Sequence, residues 1–81
     1  MEIIKDINNP FLSFGIYSIK DKGIFLVGGQ SNDIIIYKND NYECVQIIKN
    51  AHNNFINGFI ELKNGTIASF SNDQKIKIWS L

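Results

Sequence analysis

The 81 residues carry eight lysines against eight acidic side chains, no arginine, one cysteine and one histidine, and no net charge. A chain of this size and balance makes one small domain and lacks the basic, guanidinium-rich surface of a nucleic-acid binder. Cys44 and His52 alone can form neither an intrachain disulfide nor a four-ligand zinc site, so no cofactor and no metal is expected.

Residues 2–6, EIIKD, open the chain with two adjacent isoleucines and no basic-then-apolar signal sequence. Turn-forming clusters then follow every few residues: KDKG at 20–23, QSND at 30–33, KNDN at 38–41, KNG at 63–65 and SNDQ at 71–74. Between them, runs rich in Ile, Val, Phe and Tyr predict strands near 14–19, 24–28, 34–37, 43–48, 56–62, 66–70 and 75–79. In the last run, KIKIW, Ile76 and Ile78 face one way and Lys75, Lys77 and Trp79 the other. Helical periodicity is absent. The longest apolar run, 24–27, is far short of the roughly 20 residues that span a bilayer. The expected class is all-β, with no membrane and no nucleic acid among its partners. The expected setting is intracellular, in the cytoplasm, with Cys44 a reduced and half-buried apolar residue.

The chain is similar to itself. At an offset of 42, FLVGGQSNDIIIY (25–37) falls on IASFSNDQKIKIW (67–79) without a gap, matching Phe25 to Ile67, Ile36 to Ile78 and Tyr37 to Trp79. At an offset of 44, IIKDINNPF (3–11) falls on IIKNAHNNF (47–55). A period of 42 to 44 residues built from short strands is that of a four-stranded propeller blade.

Residues 51–81 resemble a WD40 repeat. The segment runs from Ala51-His52, where the family has Gly-His, through ASFSNDQKIKIW to Trp79-Ser80, where it has Trp-Asp. Residues 7–50 resemble a degenerate repeat, with Asn8 at the place of His52, Ser31 opposite Asp73 and Tyr37 opposite Trp79. The resemblance implies two antiparallel four-stranded blades of an incomplete ring, a single partial propeller over 1–81. It makes 1–6 the outer strand of a preceding or swapped blade and leaves the second blade without an outer strand of its own. It also implies that His52, Ser69, Asp73 and Trp79 form a structural hydrogen-bond network, which suits a buried indole N–H in need of an acceptor.

Ser69, His52 and Asp73 are also the residue types of a hydrolase triad, but the chain has no G-x-S-x-G elbow and an enzyme is not expected. Cys44 has no neighbouring cation to activate it as a thiolate. Gly28-Gly29 lacks the Lys-Ser/Thr of a phosphate loop, and NDNYE at 39–43 lacks calcium-loop spacing. Asn64-Gly65-Thr66 matches a glycosylation sequon and reads as a hairpin turn.

By resemblance the function is that of a scaffold, binding a peptide or protein partner on the face made by the two kinds of turn that lie together in such blades. Candidate contacts are Phe11, Gln30, Asn54, Phe55 and Asn72, with Phe11 and Phe55 either rim aromatics or blade core. Two blades make no ring, since propellers have about four to eight. Either further blades of a longer chain or a homo-oligomer of three or four copies would supply the rest.

Overall fold

A computed structural model describes residues 1–81, apart from the side chain of Asn64. Seven strands form two antiparallel sheets. The first contains β1 (Ser13–Ile19), β2 (Ile24–Gly29), β3 (Ile34–Lys38) and β4 (Cys44–Ile48), in that order across the sheet. The second contains β5 (Ile56–Glu61), β6 (Thr66–Ser71) and β7 (Ile76–Ser80). Each expected strand lies within one residue of its observed bounds, because alternating apolar residues and turn clusters set strand and boundary independently.

Residues 2–6 form no strand. A strand exists by pairing, and within the chain this segment meets no open edge; Ile3 and Ile4 stand exposed. Cys44 is exposed rather than half-buried, because β4 is the outer strand of its sheet.

The tight β1–β2 connection is one turn of 3-10 helix, Lys20–Lys22, closed by Gly23 at φ 65°, whose N–H donates to the Lys20 carbonyl at 3.1 Å. That left-handed conformation costs glycine little and most other residues more. The corresponding β5–β6 connection is a second 3-10 turn, Lys63–Gly65, with Gly65 at φ 73°. The expectation of an Asn-Gly turn thus holds for the backbone at Gly65, while the Asn64 side chain lies outside the described residues.

The two sheets are repeats of one unit in detail. Each has a register irregularity near the start of its first strand, between Ser13 and Gly15 in one and between Ile56 and Gly58 in the other. The offset there is 43. β5 lies alongside β1, and a Cβ at Gly15 would come 2.8 Å from the Cα of Gly58, so the two glycines permit this approach.

The principal core fills the seam between the sheets. Tyr17, Leu26, Ile34 and Ile36 of the first sheet meet Phe59, Ile67 and Trp79 of the second, with Ala51 and Ile56 closing the cluster. A smaller cluster, Val27, Ile35 and Tyr37, lies on the far side of the first sheet under Ile7 and Phe11. Phe25 and Tyr37 stack there with centroids 5.1 Å apart. The outer face of the second sheet has no such cover: Ile60, Phe70, Ile76 and Ile78 are exposed. The expected alternation of KIKIW is observed, with Trp79 turned to the seam and the isoleucines outward.

Candidate functional site: a buried network and the turn face above it

His52, Ser69, Asp73 and Trp79 come together as one hydrogen-bonded chain. The short linker from β4 to β5 brings in His52, the middle of β6 holds Ser69, the β6–β7 turn holds Asp73, and β7 presents Trp79. His52 Nδ1 lies 3.0 Å from Asp73 Oδ2, His52 Nε2 2.6 Å from Ser69 Oγ, and Trp79 Nε1 2.8 Å from the same Oγ. Donors and acceptors fit one assignment. An ionised carboxylate only accepts, so Nδ1–H donates to Asp73; Nε2 then accepts from the Ser69 hydroxyl, whose oxygen accepts the indole N–H. Among the described residues no buried side-chain nitrogen or oxygen is left without a partner.

Asp73 is the hub. Its Oδ2 also accepts from the Asn53 N–H and its Oδ1 from the Lys75 N–H, both at 2.9 Å. Burial pushes its pKa up, but the hydrogen bonds from Asn53, His52 and Lys75 outweigh that and hold it at about 2. The turn is shaped by Ser71, whose Oγ accepts from the Asp73 N–H at 3.1 Å while donating to the Asn54 carbonyl at 3.2 Å.

The order carboxylate–imidazole–hydroxyl is that of a hydrolase triad, yet His52 and Ser69 are fully buried. The Ser69 oxygen faces an indole N–H where a nucleophile would face its substrate.

In the first unit Ser31 stands opposite Asp73, as aligned, but it does not take over the acid's role. The carboxylate is that of Asp33, which a sequence offset of 42 does not bring out. It reaches forward to the linker that follows its own sheet: Oδ1 accepts from Asn50 N–H at 2.9 Å, and Oδ2 lies 3.6 Å from Lys49 Nζ. The His52 N–H also donates to the Asn32 carbonyl at 3.1 Å. The linker 49–53 is therefore clamped from both sides, by the 31–33 turn of the first sheet and by Asp73 of the second. The clamp fixes how the sheets meet.

In both sheets the turn after the second strand is tied by a backbone bond to the segment that leads into the first. Gln30 N–H donates to the Leu12 carbonyl at 2.7 Å, and Asn72 N–H donates to the Phe55 carbonyl at 3.0 Å. These bonds are repeats of each other. They make Leu12, not Phe11, the counterpart of Phe55, because the offset here is 43 and not 44. Phe11 is half-buried against Val27, Ile35 and Tyr37, and so belongs to core. Phe55 is 38% exposed and sits edge to face with Phe14, their centroids 5.9 Å apart. Sequence reasoning missed Phe14, which becomes a neighbour of Phe55 only through the close approach of β1 and β5. Leu12, Phe14 and Phe55 are exposed, as are Gln30, Asn54 and Asn72, and backbone bonds hold Gln30 to Leu12 and Asn72 to Phe55. Asn57 joins the amides, its Nδ2 donating to Asn72 Oδ1 at 2.8 Å.

Among the described residues no group of three or more His, Cys, Asp or Glu side chains could hold a metal ion. No helix among them is long and apolar enough to cross a membrane. The chain matches no protein-family model, and no curated protein is significantly similar to it.

Proposed function

We propose that the chain is a pair of WD40-type propeller blades serving as a non-enzymatic interaction module, which binds a peptide or protein partner on its turn face. The observation that carries the reading is the exposed Phe14–Phe55 pair, with exposed Leu12 and the amides of Gln30, Asn54, Asn57 and Asn72 on the neighbouring turns and strand starts. Aromatic side chains provide contact area at low entropy cost, and amides pair with the backbone of an extended ligand. The chemistry that suits it is a short peptide with one apolar anchor side chain. The blade assignment is supported by the repeat of strands, irregularity and turn bonds at 42–43 residues, and by the His52–Ser69–Asp73–Trp79 network. A second reading, blades that complete a larger ring, is favoured by the bare outer face of the second sheet.

A peptide display library selected on the folded chain tests the platform reading. Enriched peptides should share an apolar anchor. Phe14→Ala and Phe55→Ala should each weaken their binding at least tenfold while costing about 1 kcal/mol of stability or less, the usual worth of an exposed aromatic pair. Ile47→Ala, on the outer strand, should leave binding unchanged. Absence of enrichment, or binding indifferent to both phenylalanines, would count against the turn face.

A further inference from the structure

The two open sheet faces are repeats of the two faces that already meet inside the molecule. In the seam, Tyr17, Leu26, Ile34 and Ile36 of the first sheet pack on Phe59, Ile67 and Trp79 of the second. Carried forward by 42–43 residues, the first set becomes Ile60, Ala68, Ile76 and Ile78, the outer face of the second sheet. Carried back, the second set becomes Ile16, Phe25 and Tyr37, the far face of the first. The internal interface is therefore a template for one that a single chain cannot make with itself.

The chemistry of both faces agrees. By strand register, β1–β4 present Ile16, Ser18, Phe25, Val27, Ile35, Tyr37 and Ile47 on the far side, and β5–β7 present Ile60, Ala68, Phe70, Ile76 and Ile78 outward. Neither set contains a charge, although the chain has sixteen charged side chains. Ile16 is 68% exposed and Ile78 58% exposed. The far face is already half a core. Ile7 covers it at the repeat position of Ala51, leaving a mainly apolar cleft of about 220 Å³ lined by Ile7, Ile16, Phe25, Val27 and Tyr37, with Asn9 and Ser13 as its polar members. In the seam, the corresponding space is filled by the neighbouring sheet.

We infer that a second copy of this chain docks head to tail, the outer face of its β5–β7 sheet seated on the far face of the β1–β4 sheet. Because the two surfaces differ, a docked pair keeps one of each free, and the contact propagates until rotation closes a ring. Three or four copies give six or eight sheets, within the propeller range. The β7 edge and the unpaired segment 2–6 enter the same contact. Ile3 and Ile4 repeat Ile47 and Ile48 of β4 at an offset of 44, so the segment supplies the fourth strand that the second sheet lacks. This inference rests on the blade reading proposed above and stands whether or not the turn face binds peptides.

Light scattering during size exclusion tests it on the intact chain. The wild type should elute as a discrete species of three or four times 9.2 kDa. Ile78→Glu and Ile16→Glu each spoil one surface at a position exposed in the single chain, and each should give a monomer with unchanged β circular dichroism. An equimolar mixture should form a one-to-one dimer, since each variant retains the surface the other has lost. If either glutamate variant loses its β signal, Ile78→Thr and Ile16→Thr, which retain strand propensity, take its place. A monomeric wild type, variants that remain assembled, or a mixture that stays monomeric would each overturn head-to-tail docking.

Discussion

The two sheets solve the same packing problem with different chemistry. Where the second has Ser69 and Trp79, the first has Val27 and Tyr37 at the repeat positions. One is held by a hydrogen-bonded chain through His52 to Asp73, the other by a Phe25–Tyr37 stack with centroids 5.1 Å apart under Ile7 and Phe11. Apolar contact is tolerant of small rearrangements, whereas a buried polar chain is satisfied in one arrangement and costly in others. The second sheet, three-stranded and bare on its outer face, is the one that carries the polar lock. The first, with four strands and its far side partly covered by Ile7 and Phe11, does without it.

Removing the centre of the lock should separate the two sheets most clearly. His52→Ala leaves the Asp73 carboxylate and the Ser69 hydroxyl without their buried partner and opens a cavity at the seam. A loss of roughly 3 kcal/mol is expected, a large part of the 4–12 kcal/mol that about 0.05–0.15 kcal/mol per residue implies for a chain of this length. Urea unfolding followed by Trp79 fluorescence measures it. Tyr37→Phe, in the first sheet, should move the same midpoint hardly at all, since phenylalanine keeps the ring that stacks on Phe25.

Acid should discriminate next. The folded Asp73 has a pKa of about 2, below its ordinary value of 3.8. The unfolded chain therefore takes up this proton first as pH falls. The stability contributed by Asp73 is complete above about pH 4 and is lost as pH drops through about 2. Melting temperature plotted against pH should fall in that window for the wild type. Asp73→Asn, already destabilised at neutral pH, should give a flatter profile; an equal slope in both proteins would place the acid sensitivity elsewhere.

The smallest effect is a single bond. Trp79→Phe retains an aromatic ring at the seam but removes the donor to Ser69, and should cost about 1 kcal/mol beyond what the smaller ring loses in packing. Pairing it with Ser69→Ala in a double-mutant cycle isolates that bond: non-additivity of about 1 kcal/mol is expected.

The strands were legible because each rests on local signals, alternation within and turn residues at the ends. The four members of the lock were legible through resemblance, and the geometry brings all four together. What escaped depends on distances that sequence spacing does not carry. The offset of 44 that matches residues 3–11 to 47–55 is already 43 at Leu12 and Phe55, ahead of the strand irregularities, so pairing Phe11 with Phe55 misses Leu12 as the true counterpart. Asp33 escaped because it grips the linker after its sheet, whereas Asp73 grips the linker before its own. Phe14 meets Phe55 only because Gly15 and Gly58 let two backbones approach. Segment 2–6, read as a strand, has no partner inside one chain.

The polar lock is tested most directly by the His52 ring nitrogens and the Trp79 indole proton in an NMR spectrum at neutral pH. The expected result is a proton on Nδ1, a bare accepting Nε2, and an indole N–H that exchanges slowly with water. A proton on Nε2 instead, or an indole N–H that exchanges as fast as an exposed one, would contradict the chain from Asp73 to Trp79 and with it the basis for distinguishing the two sheets.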